Sequence, residues 1–397
     1  MAEESNQVHL GDLITLRIDK VANGGFCVGR HNGQAVFVRN SLPGELVTAE
    51  VTEINKRYLR ASATQIIESS ENRIEPACSY ANVCGGCDWQ HANLEYQRDL
   101  KSAVVIEQLM HLGDVHTVNG RPIAEFKVSA LSHNETGLHW RTRNRYANIA
   151  NYSIGMRLPR SHSVIEIDDC LIAANGSVEL AQSALKLGSA EVATAQSSTG
   201  QLVLVDQNGG PWLDEVVEDR SWRIHAGSFW QVHKDAPAAF VSTVRKLTGL
   251  KSGDRLLDLY SGAGLFAACL SKDVGDNGLV VAVESSIDAV RDARRSCSDL
   301  ANLDLITSDV AKWLSVNDED FDVVILDPPR TGAGAQVSEK IAKIAKRKIV
   351  YVACDPSALG RDTGYLASHG WQIEQLVGYD AFPQTSHVEC IATFVKN

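Results

Sequence analysis

This chain has no excess of positive charge, no membrane-length apolar run, no internal repeat and no even set of cysteines. Its formal net charge is −11 over 397 residues, the wrong sign for a protein that holds nucleic acid by bulk charge. No apolar stretch approaches the roughly 18 residues needed to span a bilayer. The opening MAEESNQVHLGD has neither a basic n-region nor an apolar h-region, so a cytoplasmic rather than a secreted protein is expected. Nine cysteines is an odd count, which argues against a closed disulfide framework and for thiol or metal chemistry. What remains is a soluble composition, 44% hydrophobic and 22% charged, in a chain long enough for two or three domains.

Three textures follow one another. Residues 1–67 contain LITLRIDKV, GFCVGR, QAVFVRN, ELVTAEVTEINKR and LRASATQII, five short β-rich segments broken at Asn23-Gly24-Gly25, Asn32-Gly33 and Pro43-Gly44. Five strands with such turns predict a small OB-like barrel. Residues 68–227 hold a cysteine segment and a helix over 91–112, with Leu94, Leu100, Val104, Val105 and Leu109 on one face and Gly113 as its stop. That helix is expected to pack on the C-terminal domain, and the rest of the stretch to be β-rich. Residues 228–397 alternate strands with helices, the pattern of a doubly wound α/β domain. The fold class expected is therefore multidomain α/β.

Ligands of doubly wound sheets sit outside the C-terminal strand ends, and the chemistry-bearing residues gather there. LLDLYSGAGLF places Tyr260, Gly262, Gly264 and Leu265 at a strand-to-helix turn where a missing Cβ lets backbone approach a ligand. Glu284 ends the next strand and suits ribose hydroxyls; Asp309 suits an exocyclic amine of adenine. Asp327, in DVVILDPPR, is a further strand-end carboxylate. The loop also fits a dinucleotide fingerprint with Ala267 last, but its C-terminal context and the DPPR that follows favour S-adenosylmethionine. Cys354, in IVYVACDPSALGRD, has the position of a nucleophile, and Glu389, in FPQTSHVE, that of a carboxylate base.

Upstream, Cys78, Cys84 and Cys87 have the spacing C-x5-C-x2-C around Gly85-Gly86, with Cys170 available as a fourth thiolate. Zinc and an iron–sulfur cluster both suit such a set. Residues 139–160 carry Arg141, Arg143, Arg145, Arg157 and Arg160 and no acidic residue, interleaved with Trp140, Tyr146 and Tyr152. Phosphate contact plus base stacking is one reading of this segment; a solvated basic hairpin is the other.

Taken together, CSYANVCGGCDWQH, HAGSFWQVH, LDLYSGAG, LDPPRTGAG, VACDPSALGRD and FPQTSHVE resemble the bacterial RNA uracil-5-methyltransferases, and more narrowly their ribosomal-RNA branch with a TRAM domain and a [4Fe-4S] cluster. The resemblance covers nearly the whole chain. It implies a TRAM barrel, a central RNA-binding domain with the cluster, and a Rossmann-like methyltransferase domain. It implies cluster ligands Cys78, Cys84, Cys87 and Cys170, nucleophile Cys354 and base Glu389. It also implies a cofactor pocket of Gln231, Tyr260, Glu284, Asp309 and Asp327, with 23S ribosomal RNA as partner. FWQVH stands where the family has FFQVN, CDP where it has CNP, and Leu265 where a polar residue is usual. Thiolate addition at uracil C6 would activate C5 towards a methyl sulfonium, with Cys354 expected to be partly ionised near neutral pH. Cytosine-5 methylation shares this logic and would use Asp355 as its extra carboxylate, and uridine-C5 methylation of transfer RNA is the other alternative; an iron–sulfur oxidoreductase and a non-catalytic RNA-binding factor are the readings from other classes. Nothing in the sequence points to DNA, a membrane or an obligate dimer.

Overall fold

A computed structural model describes residues 8–131, 136–149, 153–184, 190–206 and 209–396. The first unit is a closed barrel of β1 (Leu13–Val21), β2 (Cys27–His31), β3 (Gln34–Arg39), β4 (Leu46–Ile54) and β5 (Tyr58–Glu68), in the order β1-β2-β3-β5-β4. Alternation along β1 sends Ile14, Leu16 and Ile18 inward against Val36, Val47 and Leu59, while their neighbours face out. Closure leaves no unpaired edge. Asn32 and Gly33 both take left-handed backbone (φ 50° and 81°), which closes the tight β2–β3 hairpin.

The C-terminal unit is built on an eight-stranded sheet. After β6 (Thr117–Val118) and β7 (Arg121–Pro122), a small hairpin, comes β8 (Val128–Ala130). A central five-stranded sheet contains β9 (Arg143–Ile149), β10 (Ser153–Arg157), β11 (Val164–Glu166), β12 (Glu191–Gln196) and β13 (Leu202–Val205), in the order β11-β10-β9-β12-β13. A hairpin of β14 (Trp212–Val217) and β15 (Arg220–His225) precedes the large sheet, whose strands are β16 (Arg255–Leu259), β17 (Leu279–Glu284), β18 (Leu303–Thr307), β19 (Phe321–Leu326), β20 (Ala345–Ala353), β21 (Trp371–Asp380) and β22 (Glu389–Lys396). Their order is β18-β17-β16-β19-β20-β22-β21-β8. Strands β16 to β20 pair in parallel and β22 runs antiparallel between β20 and β21. Runs such as VVIL in β19 are buried throughout because helices cover both faces. The order reverses between β16 and β19, and the crevice outside their C-terminal ends is where such sheets bind ligands.

Helix α1 (Leu94–Gly113) lies along α8 (Pro356–Ala367), and β8 pairs with residues 378–380 of β21. Residues 94–130 thus pack with the C-terminal unit although they precede the central sheet in sequence. Gly113 is not the stop of α1 but its last turn. A Cβ there would sit 3.0 Å from the Gly360 carbonyl oxygen of α8, so glycine serves close approach, and Asp114 takes the left-handed cap (φ 52°). Among the described residues no helix is long and apolar enough to cross a membrane.

Candidate active site

A cleft of about 1940 Å³ opens at the strand-order reversal and runs from the C-terminal sheet to the central sheet. Its floor is the turn between β16 and α4 (Leu265–Val274). Tyr260 and Gly262 hold left-handed backbone there (φ 61° and 54°). A Cβ on Gly262 would meet no protein atom within 4 Å; it would point into open cleft, the space a ligand needs. The Gly262 amide donates to Glu284 Oε2 at 3.0 Å, and the Ser286 amide to Oε1 at 2.6 Å, so Glu284 is braced at the end of β17. Asp309 caps α6 (Val310–Val316), accepting from the Lys312 amide at 2.9 Å. Leu265, buried, starts α4 and lines the cleft beside Gln231, Glu284 and Asp309. Beneath the turn Asp258 is fully buried, and its Oδ2 accepts from the Ala267 amide at 2.9 Å.

The reactive residues meet one strand over. Ala353 pairs with Cys390 across β20 and β22, and one step further the chain places Cys354 opposite Glu389. Asp327 leaves the end of adjacent β19, paired in register with β20. Glu389 is buried, and desolvation raises its carboxyl well above the ordinary range, with Asp327 adding to it and Arg330 opposing. Burial likewise raises Asp327. Cys354 departs from the sequence expectation. Burial first, then the neighbouring Glu389 and Asp327 carboxyl groups, push its thiol up to about 12, which works against the partial ionisation expected from sequence. Arg330 is the cation that favours its thiolate, and its Nη2 lies 3.3 Å from His387 Nε2. His387 itself is held neutral, down at about 4, by burial and then by Arg330.

Three loops hold this arrangement. Asp362 accepts from the Tyr351 hydroxyl (2.6 Å) and from the Ala333 (2.7 Å) and Gly334 (3.2 Å) amides, pinning the segment after Arg330. Asp355 caps α8, accepting from the Ala358 amide at 2.8 Å, and so is committed to the helix. Asp292 of α5 (Ile287–Ser296) accepts from the Ser228 hydroxyl (2.6 Å) and the His225 amide (3.0 Å), fastening the loop that carries Phe229, Trp230 and Gln231. The unusual residues of that loop are buried: Trp230 packs on Trp222, and His233 stacks on Trp140 with ring centroids 5.7 Å apart. Asp258, Asp292 and Arg330 were not expected from sequence. The arginine of DPPR was a readable signal, whereas the two aspartates look like ordinary strand and helix residues.

Cys78, Cys84, Cys87 and Cys170 all line one small cavity beside Met156 and Ile167. None forms a disulfide. The Gly86 amide donates to Cys84 Sγ at 3.3 Å, as expected of a backbone that supports sulfur ligands. Among the described residues no three His, Cys, Asp or Glu side chains converge as around a single bound ion. Burial, opposed by a Gln90 hydrogen bond and helped by Cys170, Cys84 and Cys78, pushes the Cys87 thiol up to about 12, and a cationic metal centre would favour its thiolate instead. The donor set fits such a group.

The arginine segment divides. Arg145 projects from β9 with its side chain 74% exposed at the cleft rim, near Glu191. Arg141 lines the cleft and its Nε donates to the Arg143 carbonyl oxygen at 3.2 Å. Arg143 must be corrected. Its side chain is 13% exposed and pairs at 3.2 Å with Glu215, 2% exposed, so it is a core ion pair and not an RNA contact. Trp140 and Tyr146 are buried too, and cannot stack on bases; Tyr152 lies outside the described residues. Arg157 and Arg160 line the cleft, Arg160 lying 5.0 Å over the Phe26 ring of the barrel.

With this geometry in hand, comparison with known proteins is direct. A TRAM domain profile matches residues 7–64, and the tRNA (uracil-5-)-methyltransferase profile matches residues 178–397. The chain belongs to this family and is an RNA (uracil-5-)-methyltransferase. Among relatives, an RNA methyltransferase of Streptomyces avermitilis, itself uncharacterized, is 37% identical over 96% of this chain and 98% of its own. The 23S rRNA (uracil(1939)-C(5))-methyltransferase RlmD of Shewanella sediminis is 29% identical over 99% of this chain and 98% of its own. The crystal structure of Pyrococcus abyssi tRNA (uracil-54, C5)-methyltransferase, in complex with S-adenosyl-L-homocysteine, shares the fold with a TM-score of 0.71. It is 23% identical, over 96% of this chain and 99% of that one.

Proposed function

We propose that this enzyme methylates C5 of a uridine in 23S ribosomal RNA, with Cys354 as nucleophile and Glu389 as base, in the cytoplasm. The observation that carries the proposal is that Cys354, just past the end of β20, and Glu389, at the start of β22, lie close together in a cleft that also opens onto the Gly262 turn. The full-length likeness to the Shewanella enzyme supports ribosomal RNA as the substrate. S-adenosylmethionine, when bound, supplies the electrophilic methyl group. Gly262 gives it room, Glu284 and Asp309 present strand-end carboxylates to it, and Tyr260, Leu265, Gln231 and Asp327 wall the pocket.

In this reading the Cys354 thiol gives its proton to solvent, the thiolate sulfur adds to uracil C6, and the C5=C6 pair of electrons moves to C5, which would take the methyl group as the sulfonium S–CH3 bond breaks and leaves S-adenosylhomocysteine. Glu389 then removes the C5 proton, the C5=C6 bond re-forms and the C6–S bond breaks, returning the thiolate. The raised Glu389 is matched to accepting that proton. Cys354 needs added positive charge to ionise: Arg330 is the protein's share, and a cationic methyl donor is the rest. The target base must leave its stack to reach a site this deep, and the barrel with Arg141, Arg145, Arg157 and Arg160 would hold the surrounding RNA. The four cysteines, which line one cavity, would hold a [4Fe-4S] cluster with a structural role. The commitment of Asp355 to the α8 cap leaves a cytosine reading without its extra carboxylate.

The test is S-adenosylmethionine-dependent tritium release from 23S RNA labelled at uracil C5, with wild type and Cys354→Ala in parallel. Release by wild type alone, with 5-methyluridine in the nucleoside digest, is expected. A 5-methylcytidine product, or equal release by both proteins, would overturn the assignment.

A further inference from the structure

We propose that Asp88 is a positioning residue for the catalytic base: it ties the cysteine segment to the loop that delivers Glu389. The inference rests on the reading of Glu389 as base and adds the device that sets it. Asp88 follows Cys87 directly. Its Oδ2 accepts from both the Ser386 amide (2.9 Å) and the Ser386 hydroxyl (2.8 Å). Its own amide, and that of Trp89, donate to the Gln384 carbonyl oxygen at 3.0 and 3.1 Å. Four hydrogen bonds thus join residues 88–89 to residues 384–386, immediately before β22 begins at Glu389.

The loop needs such a tie. Gln384 holds a left-handed backbone (φ 68°) that a non-glycine residue adopts only when its surroundings impose it. Gln97 of α1 supplies part of that constraint: its Nε2 donates to Gln384 Oε1 at 3.0 Å, and its Oε1 accepts from the Gln384 amide at 2.9 Å. Lys101, one turn on, is buried in an ion pair with Asp380, the residue that ends β21 on the other side of the loop. Asp88 is itself pressed into place by the barrel. Gly25 sits over its side chain so closely that a Cβ there would be 2.8 Å from Asp88 Cγ, and the Gly25 carbonyl oxygen accepts from Trp89 Nε1 at 3.2 Å. The barrel, the cysteine segment and the catalytic loop therefore meet at one carboxylate. An aspartate suits the position because one carboxylate oxygen, on a short side chain, accepts both Ser386 donors.

The test compares wild type, Asp88→Ala, Asp88→Asn, Ser386→Ala and Glu389→Gln. Three quantities are read: steady-state turnover, the fraction of enzyme in a denaturation-resistant RNA adduct, and hydrogen exchange of the peptide spanning 381–389 without substrate. Removing charge-assisted hydrogen bonds is expected to lower kcat about ten- to a hundred-fold in Asp88→Ala. The KM for S-adenosylmethionine stays put, the adduct accumulates as in Glu389→Gln, and protection of 381–389 falls. Asp88→Asn, which keeps an acceptor oxygen, should recover most of the kcat. Ser386→Ala, which leaves the cysteine segment itself unchanged, should show a smaller effect of the same kind, and Asp88→Ala should keep its visible absorbance. The proposal is overturned if Asp88→Ala turns over and protects 381–389 like wild type. It is equally overturned if the variant loses activity in step with its absorbance while Ser386→Ala is unaffected. If Glu389→Gln itself turns over normally, the base assignment fails instead, and exchange at 381–389 still decides whether Asp88 holds the loop.

Discussion

Asp258→Asn should make this protein more stable at alkaline pH and leave it nearly unchanged in acid. Asp258 lies buried under the Gly262 turn with Oδ1 unpartnered. Burial, against the one hydrogen bond from Ala267 and with help from Asp327 and Glu284, pushes its carboxyl up to about 8. In the unfolded chain an aspartate titrates near 3.9. Between about 4 and about 8 the folded protein therefore holds a proton that the unfolded chain has released. Stability falls as pH rises through that window, the opposite of a salt-bridged aspartate, and is level outside it. The slope approaches about 1.4 kcal/mol per pH unit, so the change from pH 5 to 8 reaches up to about 4 kcal/mol. Asparagine is nearly isosteric, keeps an oxygen for the Ala267 amide and does not ionise. Guanidinium denaturation of both proteins at pH 5, 6.5 and 8 isolates the effect, since titrating groups that do not interact with Asp258 cancel in the difference. The stability gap should open in favour of the variant by about 2–4 kcal/mol across that range. Parallel curves, with a gap independent of pH, would refute the buried-proton account.

Four further outcomes are expected. Arg143→Ala, which strands the buried Glu215 carboxylate, should lower stability by about 3 kcal/mol in denaturant melts. Arg145→Ala should leave the melt in place and reduce the slope of log affinity for RNA against log salt by about 1; an exchange of these two phenotypes would contradict their placement. Gly262→Ala carries a side chain at φ 54° with its methyl in the open cleft. It should cost about 1–2 kcal/mol of stability and weaken S-adenosylhomocysteine binding at least about tenfold by calorimetry; unchanged affinity would mean the cofactor lies elsewhere. Cys170→Ala should remove visible absorbance and iron from protein purified without oxygen, and retention of four irons per chain would remove Cys170 from the ligand set.

The readable parts of this fold were those written in local chemistry. The barrel strands were marked by alternation and by Asn-Gly and Pro-Gly breaks, and the cofactor turn by two glycines between a strand and a helix. Cys354 and Asp327 were legible because strand ends in alternating βα texture are where ligands bind. The rest depended on partners distant in sequence. Arg143 and Arg145 share one face of β9, and only the arrival of Glu215, 72 residues later, buries one and leaves the other in solvent. The thiol of Cys354 was expected to be partly ionised as an ordinary cysteine is near neutral pH, yet burial and the carboxyl groups of Glu389 and Asp327 raise it. Gly113 reads as a helix stop by habit, and its true reason is the backbone of α8.

The place of β22 has a consequence for how the enzyme comes into being. Strand β22 lies between β20 and β21, so the sheet stays divided until residues 389–396 have been synthesised. Up to that moment β20 and β21 present open, apolar edges, the state in which a nascent chain is most prone to wrong pairing and to capture by chaperones. The same insertion delivers Glu389 opposite Cys354. A polypeptide released before that point would therefore be both unfinished as a sheet and inert towards RNA, whatever nucleic acid its barrel had already met on the way out of the ribosome.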